Sequence, residues 1–261
     1  MTVATKPRRS ARIACDPAEW EMRIQLAACY RMIDHLGWTE LIWSHVTARV
    51  PGREDHFLIN PYGLRYDEIT ASSLVKVDHQ GEVVGTSEWP INPAGFVIHS
   101  AIHMARPDVQ CVLHTHTPAG MAASTLACGI KPIHMYAVGY DGLIAYHDYE
   151  GPSLDNDERQ RLGRSLGDSN LLVLRNHGLI TCGRTIAEAL VHMYRLERAC
   201  QIQLMAQATG ERLAEVPEAV RRESVQRNHR FLSFAGKGTY GELEFAALQR
   251  LMDHKDPDYR N

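Results

Sequence analysis

Two short apolar segments that each end in histidine most constrain how this chain can fold. The first, with the sequence VQCVLHTH, covers Val109–His116, and the second, LLVLRNHG, covers Leu171–Gly178. Apolar runs of this length are typical of strands that are buried on both faces of a sheet. Side chains two residues apart on a strand point to the same face, so His114 and His116 can bind one ion together. The pattern therefore predicts a buried sheet whose strand ends carry imidazole groups.

Helix and strand patterns alternate along the rest of the chain. Helix-capping signals at Asp16 and Thr185 are each followed by apolar residues at helical spacing, which end near Gly37 and Gly210. We predict further helices over 93–106, 118–129 and 157–166 and in most of 217–253. We predict strands over 41–49, 56–60, 74–77, 83–84, 109–116, 133–138, 171–175 and 179–182. This order indicates one layered α/β domain with a mixed sheet.

Composition and charge narrow the classes of function. The 261 residues are 44% hydrophobic and 23% charged, and a formal net charge of −3 disfavours a general nucleic-acid binder. No apolar run approaches the roughly 20 residues that span a bilayer, and the N-terminus lacks the apolar core of a secretory signal. The six cysteines are scattered without a CxxC pair, as in reduced cytosolic proteins. We expect a cytoplasmic protein that acts on a small molecule and binds neither nucleic acid nor a membrane.

The first residues of the chain differ from the rest. Lys6, Arg8, Arg9 and Arg12 fall within seven residues, and this segment has no apolar periodicity to bury. Basic segments without such periodicity are typical of disordered termini. We predict a disordered tail over 1–14 and a single domain over 15–261.

The three histidines of the two segments predict a metal site. Neutral imidazole is the commonest protein ligand for zinc and related divalent ions. His177 follows an apolar strand and precedes Gly178, so it lies at a strand end, where active-site groups often collect. Three histidines with an open fourth position are typical of a catalytic metal site. The spacing alone also fits structural histidines that are satisfied by hydrogen bonds.

Longer segments around these histidines resemble those of a known family. Arg106–His116 and Asn176–Ile180 are similar to segments of the class II aldolase/adducin family, and so are Ala145–Gly151 and Asp256–Arg260. The order of motifs matches the family over nearly the whole chain, from the first predicted helix to about Tyr259. The resemblance implies a three-layer α/β/α fold with a mixed central β-sheet. It also implies a homotetramer with active sites near subunit interfaces.

The resemblance also implies the metal ligands. His114, His116 and His177 match the metal-binding histidines of the family. The implied cofactor is a divalent metal ion, with zinc as the first choice and iron(II) or manganese as alternatives.

Position 95 departs from the pattern of the sugar-phosphate aldolases of this family. Those enzymes place a glutamate, which serves as metal ligand and as acid/base, four residues before the histidine that matches His99. Here this position is Gly95, and the nearest acid, Glu88, lies seven residues upstream. The glutamate is therefore absent, and Glu88 could replace it only if its loop folds back.

The phosphate-binding loops of the family are altered as well. Their positions here are Ser44–His45, Asn60–Gly63 and Pro93–Ala94. Each change removes small hydroxyl or amide donors, and a proline lacks even its backbone N–H. We therefore expect an unphosphorylated substrate, either aromatic or a keto acid.

Imidazole and phenol groups are candidates for moving protons in place of the missing glutamate. As catalytic residues we predict His134, Tyr149 and His99. As substrate-binding residues we predict His45, Tyr62, Gly63, Phe96 and Tyr259. The alternative for each is a structural role, and for Tyr259 it is a place in a frayed terminus.

Three functions are compatible with these residues, and we expect the first. It is a metal-dependent lyase, of aldolase or decarboxylase type, that cleaves a C–C bond through a metal-stabilised enolate. The second is a non-haem iron(II) oxygenase that acts on an aromatic or keto-acid substrate. The third is a non-catalytic scaffold like the adducin head domain, in which the metal-binding histidines are not kept.

Overall fold

Seven strands form one mixed sheet at the centre of the fold. The computed structural model describes residues 13–151, 156–234 and 240–261, so the predicted tail over 1–14 lies outside it except for positions 13 and 14. The described strands are β1 (His45–Arg49), β2 (His56–Ile59), β3 (Val75–Asp78), β4 (Cys111–Thr115), β5 (Ile144–His147), β6 (Leu171–Leu174) and β7 (Gly178–Gly183). They lie in the order β3-β2-β1-β4-β7-β6-β5. Neighbouring strands pair antiparallel, except that β5 and β6 run parallel.

Helices and two short 3₁₀ turns connect and cover the strands. The described helices are α1 (Pro17–His35), α2 (Pro93–Ala105), α3 (Pro118–Ser124), α4 (Met135–Val138), α5 (Asn156–Leu166), α6 (Ile186–Ala208), α7 (Glu218–Phe234) and α8 (Glu242–Lys255), with 3₁₀ turns at Tyr66–Glu68 and Pro257–Arg260. Both predicted caps are present, since the side chains of Asp16 and Thr185 accept hydrogen bonds from the first turns of α1 and α6. Among the described helices, none is long and apolar enough to cross a membrane.

Alternating side chains of the strands face two different apolar layers. On one face, Val112, Leu172 and Ile180 pack with residues of α2 and α5. On the other face, Leu113 and Val173 pack with residues of α1, α6 and α8. Because both faces are covered, the central strands are apolar throughout, as their sequences indicate. This is the predicted three-layer α/β/α arrangement around a mixed sheet.

Polar side chains interrupt the apolar layer under α2. Strand alternation places His45 and Thr47 of β1 on the same face as His114 of β4, and the Cα atoms of His45 and His114 are register partners. All three side chains are buried. Buried polar groups need hydrogen-bond partners, so this row must be satisfied by the helix that covers it.

The strand that we predicted over 133–138 is wrong, because this segment contains helix α4. The N–H of Val138 donates to the carbonyl of His134, as in a helix. Ala137 and Val138 are both buried, whereas a strand would alternate between its two faces. Packing of α4 against α6 therefore decides the conformation of this short apolar run.

Other predicted strand bounds also differ from those observed. The strand predicted over 41–49 begins only at His45, because Leu41 adopts a left-handed φ of 49° within a turn. The strand predicted over 83–84 is reduced to a single bridge between Val83 and Val77. Strand β5 was not predicted, since its four residues are too few and too exposed to give a strong pattern.

Tyr30 connects α1 to the sheet through its buried hydroxyl group. The hydroxyl oxygen lies 2.6 Å from the carbonyl oxygen of Val46 and 2.9 Å from Oδ1 of Asn60. It also accepts hydrogen bonds from the N–H groups of Val46, at 2.8 Å, and Asn60, at 3.2 Å. The hydroxyl thus satisfies backbone groups of Val46 in β1 and of Asn60, which directly follows β2.

We expect the substitution Tyr30→Phe to lower the free energy of unfolding by about 2–4 kcal/mol, because it leaves buried backbone donors unpaired. Urea denaturation of the metal-free protein measures this loss. Tyr66→Phe is the matched control, since the Tyr66 ring packs edge to face on Tyr30 at 4.6 Å. Among the described residues, the Tyr66 hydroxyl interacts only with the hydroxyl of Ser44, without normal hydrogen-bond geometry, and with no backbone group. Equal losses in the two variants would contradict the role of the Tyr30 hydroxyl.

Candidate metal centre

Three imidazoles converge beside the ends of β4 and β7. His114 belongs to β4, His116 directly follows that strand, and His177 lies in the turn between β6 and β7. Asn176 makes this turn possible with a left-handed φ of 58°. The Nε2 atoms of His114 and His116 lie 2.8 Å apart, and those of His116 and His177 lie 2.9 Å apart. We call these three residues the histidine cluster.

The glycine that follows His177 lets the β6–β7 turn approach β4 closely. A Cβ atom at Gly178 would lie 2.5 Å from the carbonyl oxygen of Thr115, closer than any side chain permits. The close approach brings His177, in the β6–β7 turn, against His116, which directly follows β4. A glycine at this position therefore helps to assemble the cluster.

The proton positions leave nitrogen lone pairs facing one another in the cluster. Nδ1 of His114 lies 2.9 Å from the carbonyl oxygen of Leu179. A carbonyl oxygen only accepts hydrogen bonds, so Nδ1 of His114 carries the proton. Its Nε2 then carries a lone pair. Nε2 of His116 faces both other Nε2 atoms, and no single N–H satisfies both. In the described part of the chain, the ligand atoms of the three residues lie within 4.8 Å of one another. This donor set fits a divalent cation.

Burial keeps the imidazoles of the cluster neutral. Desolvation, together with the neighbouring His177 and His116, lowers the pKa of His114 well below its usual range. Desolvation and His116 lower the pKa of His177 to about 4. Desolvation also lowers the pKa of His116, although the nearby carboxylate of Glu40 opposes this effect. Neutral imidazole is the form that binds metal ions, so the cluster is ready to bind one near neutral pH.

A hydrogen-bonded row of side chains extends from the cluster into the space under α2. The ring centroid of His45 lies 5.0 Å from that of His114. Nδ1 of His45 lies 2.8 Å from Nε2 of His99. Oγ1 of Thr47 lies 2.7 Å from Nδ1 of His99 and 2.8 Å from Nε2 of His103. We call His45, His99, Thr47 and His103 the histidine row.

The three predicted catalytic residues lie at different distances from the cluster. The ring centroid of Tyr149 is 6.5 Å from that of His177, and Tyr149 is 55% exposed. His99 is buried and reaches the cluster only through His45. His134 precedes α4 and lies 3.4 Å from a carbonyl oxygen of α6. No described contact joins His134 to the cluster, so the structure brings only the first two toward it.

Two of the predicted substrate-binding residues lie in the interior and do not line a site. Phe96 is 6% exposed and packs with Phe57 between α2 and the β2–β3 pair. Tyr259 is fully buried, and its hydroxyl donates to Asp253 at 2.5 Å. The C-terminal residues are also fixed, since the N–H of Ala71 donates to the carbonyl of Tyr259. The free energy gained by burying these rings holds both side chains in the interior, and the substrate-binding roles of Phe96 and Tyr259 stay predictions.

The other predicted substrate-binding residues are divided between the cluster and a surface loop. His45 contacts the cluster through His114, as described above. Tyr62 is half-buried, and its N–H donates to the carbonyl of Pro90. Gly63 is exposed and lies against the indole of Trp89. The described contacts do not join this loop to the cluster.

Sequence reasoning missed one polar residue beside the cluster, Glu40, and one in the histidine row, Thr47. The carboxylate of Glu40, in the turn before β1, lies close enough to His116 to favour its charged form. Thr47 joins His99 to His103, because side chains repeat every two residues on β1 and every four on α2. These spacings are visible in the sequence, whereas the pairing of β1 with α2 is not.

Comparisons with known proteins agree with this fold. The model of the class II aldolase and adducin N-terminal domain matches residues 24–204. A Pseudomonas aeruginosa protein that is provisionally named a class 2 aldolase is 48% identical over 93% of each chain. Alpha-adducin of Rattus norvegicus is 42% identical over 95% of this chain, which spans 35% of the adducin. The crystal structure of an aldolase II superfamily protein from Pseudomonas syringae is 44% identical, covers 95% of this chain and 98% of its own, and superposes with a TM-score of 0.89.

The chain therefore belongs to the class II aldolase and adducin family. This confirms the resemblance that the sequence motifs carry, and the three-layer fold with it. Class II aldolases typically use a divalent metal ion and act on small molecules, whereas adducins are scaffolds. Family membership thus leaves the activity of this chain to be inferred from its own site.

We expect the metal-free protein to lose stability as the pH falls from about 6.5 toward 4. Desolvation and Arg49 lower the pKa of His103 to about 3, and that of His177 falls to about 4. In the unfolded chain both residues titrate near pH 6.5, so below that pH the unfolded state binds more protons and is favoured. Each residue adds about 1.4 kcal/mol per pH unit to the slope within this window. Denaturation midpoints between pH 7 and 4.5, with a chelator present, measure it.

The substitution His103→Gln should remove one residue's share of this slope, because glutamine keeps a hydrogen bond to Thr47 but does not titrate. His254→Gln removes an exposed imidazole of α8 and is the control for the loss of a histidine as such. A slope that His103→Gln leaves unchanged would show that His103 does not titrate on unfolding.

Proposed function

We propose that this protein is a divalent-metal-dependent lyase that cleaves a C–C bond in a small unphosphorylated carbonyl substrate. The observation that carries the proposal is the convergence of three imidazole Nε2 atoms that no set of hydrogen bonds satisfies. His114, His116 and His177 would hold the ion, and three ligands leave at least one position for a substrate. A cation bound there would supply Lewis-acid stabilisation of negative charge on a carbonyl oxygen. Zinc is our first choice. Imidazole also suits iron(II), whereas manganese prefers oxygen ligands and is the weaker alternative.

The positions that would receive a phosphate support an unphosphorylated substrate. The N–H of Tyr62, in the Asn60–Gly63 loop, already donates to the carbonyl of Pro90. Helix α2 begins at Pro93, which has no N–H to donate. Two backbone donors that a phosphate could use are therefore engaged or missing, and a substrate with a carboxylate or a plain carbonyl fits better.

The proton transfers of such a cleavage are assigned to residues that border the cluster. Tyr149 is exposed, and its ring lies near His177, so we propose that its phenol exchanges a proton with the substrate. His45 is proposed as a group that contacts the substrate, and His99 as the residue that holds His45. His134 would take part only if a neighbouring subunit brings it to the site.

We also propose a homotetramer with active sites near the subunit interfaces. Leu41 is 68% exposed and Trp43 is 46% exposed, and both lie just before His45 in the chain. Met135, at the start of α4, is 77% exposed. Exposed apolar side chains near a site are typical of surfaces that a partner covers.

One observation favours a second candidate function, a non-haem iron(II) oxygenase that acts on an aromatic or keto-acid substrate. Within the described residues, the candidate ligand group consists of three histidines and includes no carboxylate. A set of three neutral ligands with open positions also suits iron(II), which is the ion that such oxygenases use. The two functions therefore differ in the ion that the purified protein carries and in the consumption of dioxygen.

We expect one zinc ion to bind per chain of the wild-type protein and His116→Ala to weaken zinc binding by more than about 100-fold. Removal of a metal ligand should lower the affinity more than the 10–100-fold that is typical when a residue hydrogen-bonded to a ligand is removed. Competitive titration against a chromogenic chelator measures the affinity. His254→Ala, which removes an exposed histidine of α8, is the control and should bind zinc as the wild type does. A wild-type protein that binds no divalent ion would leave only the adducin-like scaffold.

The reaction is tested with the zinc-loaded and the iron(II)-loaded protein in parallel. Unphosphorylated 2-keto and 2-hydroxy acids are supplied, and carbonyl products, carbon dioxide and dissolved oxygen are followed. We expect carbonyl or carbon dioxide release with zinc and no oxygen uptake. We expect His116→Ala to lose this activity and His254→Ala to keep it. Oxygen uptake that requires iron(II) and the substrate would assign the protein to the oxygenases instead.

A further inference from the structure

Gly95 and His45 occupy one space at the edge of the histidine cluster. A Cβ atom at Gly95 would lie 2.4 Å from Cδ2 and 2.6 Å from Nε2 of the His45 ring. Both distances are shorter than real contacts allow, so any side chain at position 95 would displace the imidazole. The glycine therefore lets the edge of the His45 ring lie directly on the backbone of α2.

The histidine row fixes the orientation of the His45 ring in that space. Gly95, His99 and His103 are four residues apart on α2 and form one stripe. His45 and Thr47 are two apart on β1 and face this stripe. The two repeats are close in length, about 6 Å for four helical residues and about 7 Å for two strand residues, so successive side chains meet.

The hydrogen bonds of the row leave one nitrogen of His45 for the cluster side. Nδ1 of His45 is taken up by the bond to His99. Nε2 has no hydrogen-bond partner among the described residues, and it belongs to the ring edge that lies over Gly95. His45 is also the cross-strand partner of His114. A group bound at the open side of the cluster would therefore meet the Nε2 edge of His45.

The row can hold its protons in two arrangements that are both neutral. In one, every bond points away from the cluster, from His45 to His99, from His99 to Thr47 and from Thr47 to His103, and Nε2 of His45 is an acceptor. In the other, every bond points toward the cluster and Nε2 is a donor. The Thr47 hydroxyl makes both possible, because it donates to one histidine while it accepts from the other.

We propose that His45 binds an oxygen atom of the substrate through Nε2, and that His99, Thr47 and His103 are positioning residues that hold its ring and let Nε2 either accept or donate. The proposal rests on the proposed function, since the substrate would lie at the open side of a metal-loaded cluster. The chemical class of ligand is a small carboxylate or 2-keto acid, whose oxygens can accept a hydrogen bond from His45 beside the ion. Gly95 provides the space that this arrangement needs.

The test uses the cobalt(II)-loaded protein and oxalate as the probe, with binding followed in the visible spectrum. We expect His45→Phe to weaken oxalate binding by about tenfold and Thr47→Val by about 3–10-fold, the effect of one lost hydrogen bond. Thr47→Ser should restore the wild-type affinity, because it returns the hydroxyl. All three variants should bind cobalt(II) as tightly as the wild type. Thr181→Val is the matched control, since Thr181 is a buried threonine of β7 on the opposite face.

Gly95→Ala provides a second route, because the added methyl group displaces the His45 ring without removing any polar group. We expect it to weaken oxalate binding as much as His45→Phe does. Unchanged oxalate affinity in both variants would overturn the proposal. A loss of cobalt(II) affinity in His45→Phe would also overturn it, because His45 would then be a ligand of the ion.

Failure of the proposed function gives a different result. If the wild-type protein binds no cobalt(II), the metal site is wrong, while the row is still tested on the metal-free protein by ¹⁵N NMR of its histidine rings. We expect Nδ1 of His99 to show a hydrogen-bonded shift in the wild type and in Thr47→Ser. We expect it to lose this shift in Thr47→Val. Identical spectra in all three proteins would overturn the positioning role of Thr47.

Discussion

The packing of α2 on β1 is the contact on which the rest of the site depends. It places a row of polar side chains inside an interface that is otherwise apolar, where unpaired groups would cost about 1–3 kcal/mol each. Thr47 lowers this cost because it lies between His99 and His103 and bonds to both. A shift of α2 by one residue would rotate His99 away from β1 and leave His45 without a partner. The position of the helix therefore also fixes the edge of the metal centre.

Much of the fold and part of the cluster could be predicted from the sequence. The alternation of His114 and His116 and the apolar run before His177 predict side chains at strand ends, and the structure brings them together. Capping signals placed the starts of α1 and α6 correctly, because an N-cap bond is local. Local signals were sufficient wherever residues close in sequence make the contact.

The features that the sequence did not reveal depend on contacts between distant segments. Nothing near Phe96 indicates that it packs under β2 and β3, and nothing near Tyr259 indicates that it reaches the core. The helix at 135–138 is decided by packing on α6, which lies about fifty residues further along the chain. The contact between Gly95 and His45 belongs to the same group. It explains why a glycine at position 95 is not simply a missing carboxylate.

The glycine and the imidazole must be considered together when the chain is compared with aldolases and adducins. Taken alone, the absence of a glutamate at position 95 suggests a site that has lost its chemistry. The structure shows that the space is filled by the imidazole of His45 from β1, which bonds to His99 and through it to Thr47 and His103. Burying four neutral imidazoles under α2 and in the cluster destabilises the fold at acidic pH, because burial lowers the pKa of His45, His99, His103 and His114. A scaffold gains nothing from such a row, since apolar side chains would fill the same interface without this cost. The row is explained if its terminal nitrogen acts on a ligand, which favours an altered enzyme over a scaffold.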